Sequence, residues 1–206
     1  MCGRFSIDAT IEEMSRRFKA SPMLHPLTAE GVVFPSMLVA MVTNCQDSST
    51  SRVLISASWG IGVVAGKQLM INARSETIKE KPLFSEAFSL RRGILPATSF
   101  FEWEEASGQK LPHEYFLPER KMFGIAAIYA RNHEDDRSVG ELVIITVPAI
   151  KPVAKTHARM PLVLSGTMEA QWLSAGPLSD EAWENCRMDS PVAGMEDMSP
   201  MPHLFE

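Results

Sequence analysis

From residue 91 to residue 147 short β-rich runs, some of them alternating apolar and polar, are separated by turn signals and polar stretches. A period of two sets one face of a strand into a core and leaves the other in polar surroundings. Strands are predicted at residues 93–96, 99–105, 111–117, 122–130 and 142–147, with Ser107-Gly108 and Pro118-Glu119 as turns. Residues 36–43 and 52–58 are two further β-rich runs joined by a polar stretch, which predicts a hairpin. Residues 69–73 form another short strand that runs into Arg74-Ser75-Glu76, and residues 160–164 form a last one. The helical period is rarer. Thr10 and Glu13 have the spacing of a capping box, and Ile11, Met14 and Phe18 follow on one face. A helix is therefore predicted over residues 7–20, ended before Pro22. Ser75 is placed to cap a short helix containing Thr77 and Ile78, and residues 83–89 predict another. Ser165 opens a helix to about residue 175, and residues 179–187 offer one more. Residues 21–35 carry three prolines and read as an extended surface loop, and residues 189–206 as a loop-like tail. No repeat or long linker divides the chain. The expectation is an α+β fold: a single domain over residues 1–206, with a mainly antiparallel, barrel-like β-sheet and peripheral helices.

Composition narrows the function classes. The chain has 206 residues, 45% hydrophobic and 22% charged, near globular averages. No apolar run approaches the roughly 18 residues that cross a bilayer, and the N-terminus has no secretory pattern. A cytoplasmic protein without membrane partners is expected, nucleoid-associated if bacterial. Three widely spaced cysteines, Cys2, Cys45 and Cys186, fit neither a disulfide framework nor a zinc site. A net charge of −5 argues against a broad basic face for duplex DNA but leaves room for a narrow basic groove. No metal or organic cofactor is implied, and a monomer is the expectation.

Candidate chemistry begins at the N-terminus. Removal of Met1 by a methionine aminopeptidase, which tolerates small second residues, leaves Cys2 with a free α-amine and a thiol. Their ordinary pKa values are about 8 and about 8.5. Such a 1,2-aminothiol condenses with an aldehyde to an imine, onto which the thiol closes to give a thiazolidine ring. A small buried cysteine is the alternative. Asn72 and Arg74 end a strand with an amide and a fixed charge. In Phe100-Phe101-Glu102-Trp103, alternation sets Phe100 and Glu102 on one face and Phe101 and Trp103 on the other. Burial beside aromatics raises a carboxyl pKa toward neutrality and suits it to proton transfer; on a solvated face it is an ordinary surface charge. His157 and Arg159 precede a strand, and Trp59 ends one, either as core or as a stacking platform.

MCGRF, a proline-containing loop, WG, INARSET, FFEW and THARMPLVL occur in that order. This series closely resembles the SOS response-associated peptidase (SRAP) family, the abasic-site cross-linking proteins, from Cys2 to about Trp172. The resemblance implies that Cys2, after loss of Met1, attacks the ring-opened aldehyde of an abasic site in single-stranded DNA and forms a thiazolidine crosslink. It implies that Glu102 moves protons, that His157 assists sugar ring opening, and that Asn72 orients the N-terminal residue or the opened sugar. Arg4, Arg74 and Arg159 are expected on DNA phosphates, Pro35 and Trp59 among the DNA contacts, and Arg91 and Arg92 as further groove cations or as a charged strand edge. An abasic-site lyase side activity and autocatalytic removal of Met1 also follow from the resemblance.

The chain departs from the family pattern in two places. Only Pro35 survives of the first-loop N-x-x-P segment. After Trp59-Gly60 the usual proline and second tryptophan are replaced by a shorter run beginning Ile61-Gly62. Two other classes therefore stay open: a non-covalent single-stranded DNA-binding module, and an N-terminal-nucleophile cysteine peptidase acting on other proteins.

Overall fold

A computed structural model describes residues 2–23, 31–45, 48–62, 69–130 and 140–198. Strand β1 (Phe5–Ile7) leads into helix α1 (Ile11–Phe18), then short strands β2 (Ala20–Pro22) and β3 (Gly31–Val33). The long hairpin is β4 (Leu38–Cys45) with β5 (Ser48–Trp59), followed by β6 (Ile61–Gly62), β7 (Leu69–Met70) and β8 (Asn72–Arg74). Helix α2 (Pro82–Leu90) precedes β9 (Arg92–Ala97), β10 (Ser99–Ala106), β11 (Gln109–Phe116), β12 (Phe123–Ala130) and β13 (Gly140–Pro148). The chain finishes with β14 (Arg159–Pro161), β15 (Val163–Leu164), helices α3 (Gly166–Trp172) and α4 (Asp180–Met188), and β16 (Glu196–Asp197).

The sheet closes on itself. Antiparallel pairings run β13–β12–β9–β4–β5, and β5 then pairs parallel with β13 through Gly140↔Ala57 and Leu142↔Trp59. Closure removes the open edges that a flat sheet would present. Met41, Leu54, Ile94, Ile125 and Ile144 are among the wholly buried side chains of these strands. Gly93 lies against Met41, where an added Cβ would run into the methionine sulfur. A second sheet, in the order β16–β11–β10–β1–β3, carries the N-terminal strand at Phe5↔Phe100 and Phe5↔Val33. The expected α+β class and barrel-like sheet are both observed.

Several local expectations change. The capping box forms: Thr10 Oγ1 accepts from Glu13 N–H at 3.3 Å and Glu13 Oε2 accepts from Thr10 N–H at 2.9 Å. It starts the helix at Ile11, so residue 7 belongs to a strand, in which Phe5 and Ile7 alternate into the core. Ser75 caps no helix. Its N–H donates to the Thr146 carbonyl at 2.9 Å, extending the β8–β13 pairing, and residues 75–80 are turns. Within the proline-rich loop, β2 and β3 form, while residues 24–30 lie outside the described residues. The tail contributes β16, paired with β11 at Tyr115↔Asp197. Among the described residues, no helix is long and apolar enough to cross a membrane.

Arg92 is a correction. It is buried, and its guanidinium donates to five carbonyl oxygens, those of Phe88, Ser89, Trp172, Ser174 and Gly176. All its donors are used in tying the C-terminal ends of α2 and α3 to β9, so it takes no phosphate. Neighbouring Arg91 binds Glu86 at 3.0 Å and the Tyr129 carbonyl at 3.1 Å.

Candidate active site

Two of the four residues expected to carry chemistry sit on strands, one just precedes a strand, and the fourth follows a short turn. Cys2 lies just before β1, Glu102 on β10, and Asn72 at the start of β8, held parallel to β13 at Asn72↔Ile144. A 3₁₀ turn at Val153–Lys155 delivers Thr156 and His157. The structure brings all four together. Asn72 Nδ2 donates to the Cys2 carbonyl at 2.9 Å. Asn72 Oδ1 is buried and has no hydrogen-bond partner among the described residues. His157 Nδ1 stands 3.6 Å from Glu102 Oε2.

Burial governs the acid–base state. Cys2 is wholly buried, and its thiol donates to the Arg4 carbonyl at 3.6 Å. Desolvation, and secondarily the negative charge of Glu102, push the thiol far above its ordinary pKa. Glu102 is only 1% exposed, and burial raises its carboxyl as well, against the opposing pull of His157. Both groups therefore hold their protons more tightly than they would in water. The Nδ1 atom of His157 lies 3.0 Å from the Arg159 N–H and 2.9 Å from the Arg159 carbonyl. Unprotonated it accepts from the first, and protonated it donates to the second, so the ring nitrogen has a backbone partner in either state. The loop is fastened from beneath by the buried Tyr115, whose hydroxyl bonds Thr156 Oγ1 and whose ring stacks on Phe100 at 5.4 Å.

The expected DNA contacts divide. The Arg4 guanidinium lies over Phe34 at 4.6 Å, Trp103 at 5.0 Å and Phe101 at 6.0 Å. Pro35 sits in the turn after Phe34, closed by the Met37 N–H on the Phe34 carbonyl at 3.2 Å. Arg74 is exposed at the end of β8. Trp59 requires a correction. It is wholly buried, its Nε1–H donates to the Ile71 carbonyl at 3.0 Å, and Phe5 packs on its ring at 5.4 Å. With no open face it is a core residue and offers no stacking platform. Residues 63–68, the altered run after it, lie outside the described residues.

Arg159 is gripped by both carboxylate oxygens of Glu76 and also donates to the Thr146 carbonyl at 2.6 Å. The guanidinium hydrogen bonds hold the Glu76 carboxyl at about 2, below the ordinary value of about 4.3. A carboxylate depressed by folding stabilises the fold above about pH 4.3 and ceases to do so as pH falls through about 2. Glu76 is 40% exposed, so solvent screening limits the pair to about 1 kcal/mol. Glu76→Gln should lower Tm by roughly 2–4 °C at neutral pH. In thermal melts the gap between variant and parent should close as pH approaches about 2. A gap independent of pH would mean that the pair contributes through packing alone.

Sequence reasoning missed Phe34 and Tyr115. Phe34 is 41% exposed and carried no pattern, whereas Tyr115 lay within a recognised strand opposite Phe100 and was a findable partner. Among the described residues, no group of three or more His, Cys, Asp or Glu side chains is placed to hold a metal ion.

With the geometry in hand, comparisons with known proteins give a consistent result. A family model described as SOS response associated peptidase (SRAP) matches residues 1–199. The chain belongs to the SRAP family. It is 31% identical over 185 residues to the abasic site processing protein YoqW of Bacillus subtilis, covering 84% of this chain and 80% of that protein. The SRAP relative YedK of Escherichia coli, also named an abasic site processing protein, is 29% identical over 118 residues, 57% of this chain and 53% of the relative. The mouse abasic site processing protein HMCES is 25% identical over 170 residues, 65% of this chain and 48% of HMCES. In three dimensions, a crystal structure of a Bacteroides thetaiotaomicron protein superposes with a TM-score of 0.78 at 22% identity. It covers 95% of this chain and 90% of that one. A phage-related protein from Bordetella bronchiseptica gives 0.77 at 21% identity, covering 98% and 94%. These two show that the SRAP fold is shared.

Proposed function

We propose that this SRAP protein processes abasic sites in single-stranded DNA by closing its N-terminal aminothiol onto the aldehyde of the opened sugar. The observation that carries the reading is the convergence on Cys2 of a buried carboxyl, a histidine and an amide with an unmet acceptor. Relatives spanning bacteria and mouse, each named an abasic site processing protein, supply the substrate class.

The chemistry needs a free amine, so the amide bond between Met1 and Cys2 is hydrolysed first, with the Cys2 thiol and Glu102 as its candidate groups. The amine then adds to the sugar aldehyde carbon. Glu102, whose burial favours its acid form, gives its proton to the departing hydroxyl, and water leaves as the protonated imine forms. The resulting carboxylate takes the thiol proton as sulfur bonds to the imine carbon, and the proton count closes on the thiazolidine. His157, backed by a backbone partner in either protonation state, serves proton transfer at the opening sugar. Asn72 Oδ1 accepts from the freed amine or a sugar hydroxyl. Arg74 and Arg4 hold flanking phosphate, and Arg159 does so only in competition with Glu76. The imine also acidifies the neighbouring sugar C2 protons, so strand cleavage by β-elimination accompanies the crosslink.

The test is a denaturing gel of an oligonucleotide carrying one abasic site, incubated with protein shown by mass to begin at Cys2. A heat-resistant shifted band is expected. Protein that retains Met1 should give none. A non-covalent binding module takes over if trimmed protein binds the oligonucleotide and forms no band.

A further inference from the structure

A census of arginine partners marks a second place on the molecule. Among the described residues, Arg17, Arg91, Arg159 and Arg187 pair with carboxylates. Arg52 and Arg92 donate to backbone carbonyls, and Arg4 lies against aromatic rings. Arg16, Arg74 and Arg120 are exposed and, among the described residues, are held by neither an ion pair nor a hydrogen bond to a carbonyl, although Arg16, after the Thr10 N–H and Lys121, helps to lower the Glu13 carboxyl. Arg74 belongs to the Cys2 cluster. Arg16 and Arg120 come from distant parts of the chain and line one groove of about 510 Å³, with Glu13, Arg17 and Lys121.

The acids beside this groove are already matched. Glu13 Oε1 takes Lys121 Nζ at 3.2 Å while its Oε2 takes the Thr10 N–H. The buried Glu169 takes both ends of the Arg17 guanidinium, at 3.0 and 2.7 Å. Glu13 also feels the charge of Arg16, but the cations along the groove outnumber its carboxylates, and the cleft is positive on a chain whose net charge is −5. The fold separates this cleft from Cys2. Helix α1 leaves β1 at the end away from Cys2, and Arg120 follows β11 beyond Phe116, which pairs with Ser99. Along the extended chain, Cys2 and Ile7 are roughly 17 Å apart.

We infer that this groove holds backbone phosphates of the same DNA strand, several nucleotides from a lesion seated at Cys2. The inference rests on the function proposed above and adds a second contact to it. Planar guanidiniums on two separate elements suit successive phosphates of a strand crossing the groove. The volume, within the range of whole small-molecule pockets, exceeds what one phosphate fills.

The experiment is fluorescence anisotropy with lesion-free single strands of about 4 and about 20 nucleotides, lengths bracketing typical single-strand site sizes. The parent is compared with Arg16→Glu/Arg120→Glu and with the milder Arg16→Ala/Arg120→Ala; both positions are exposed, and melting curves check the fold. For the long strand the reversed pair should bind at least tenfold more weakly. In either pair the salt slope should fall by about 1.4, at about 0.7 per lost phosphate contact. Binding of the short strand, and adduct yield on a short abasic strand, should stay at parental levels. Equal affinity and slope on the long strand would overturn the inference while leaving adduct formation intact. Inorganic phosphate should displace the long strand no better than chloride of equal ionic strength. Stronger displacement that the double variants abolish, without dependence on strand length, would reassign the groove to free phosphate and overturn the DNA contact. A parent that neither binds nor crosslinks either length takes down the proposed function and this inference together.

Discussion

Cys2→Ala should remove the heat-resistant adduct completely, with at least a hundredfold loss of band intensity, while leaving affinity for lesion-free single strands unchanged. The reasoning is chemical. Thiazolidine closure needs sulfur on the side chain of the residue that carries the amine, and alanine has none. Alanine is also small enough for Met1 to be removed by an aminopeptidase, so the variant keeps a free N-terminal amine. It should still form an imine, and that imine should be trapped by borohydride and release β-elimination product. Cys2→Ser should behave in the same way. Persistence of a heat-resistant band in either variant would exclude the Cys2 thiol as the attacking group. Loss of both the band and the borohydride-trapped species would instead implicate the amine step. Among the described residues Cys2 Sγ hydrogen-bonds the Arg4 carbonyl alone, so substitution breaks one weak polar contact.

The second large effect is expected at Glu102. Glu102→Gln should slow adduct formation by about 10²–10⁴, the usual contribution of a positioned acid or base. The sign of the pH dependence follows from burial. A carboxyl raised by desolvation is protonated at pH values where a free glutamate is ionised, and its acid form is lost as pH rises through the raised value. The N-terminal amine, with an ordinary pKa of about 7.7–8.0, becomes nucleophilic over the same rise. The parent rate should therefore pass through a maximum, and the variant should lack the descending alkaline limb. Stability should move oppositely. Ionising a buried carboxylate opposes folding, so the parent loses stability as pH rises through the Glu102 value, and Gln does not. Melting temperatures of variant and parent should diverge in the variant's favour as pH rises from the ordinary glutamate value of about 4.3 to the raised Glu102 value, and the gap should then level off. A variant that keeps the parental profile would move the proton-transfer role to His157.

The residues differ in how plainly the sequence announces them. The β-rich runs of residues 93–147 and the Thr10/Glu13 spacing are local signals, and they produced β9 to β13 and the capping box of α1, though the helix begins at Ile11 and not at residue 7. Barrel closure was not local. It depends on β5 lying parallel to β13, more than eighty residues away by their register, and parallel pairing leaves no turn to be read. Two residues of β16 carry no period at all. Arg91 and Arg92 look alike in sequence, yet Arg91 ends α2 and reaches Glu86, whereas Arg92 opens β9 and is buried. The buried one survives only because the ends of α2 and α3 present carbonyls to it, an arrangement that tertiary packing alone creates. Trp59 was ambiguous for the same reason: its buried N–H is satisfied by Ile71, a partner that the WG motif does not name. The cluster of Cys2, Asn72, Glu102 and His157 was legible as a motif series, whereas the burial that shifts two of its protons came from the barrel.

Because the cluster draws on residues from 2 to 157, biosynthesis separates its members in time. Cys2 leaves the ribosome first. His157 follows on the order of ten seconds later at about 5–20 residues per second. Until β10 and the Thr156–His157 loop arrive, an aminothiol at the tip of a nascent chain would meet small metabolic aldehydes with nothing to select among them. As long as Met1 occupies the amine, that exposure is harmless, and trimming after the barrel has closed would deliver a nucleophile already inside its acid–base shell. On the proposed chemistry the N-terminal methionine would act as a protecting group whose removal is best timed to folding.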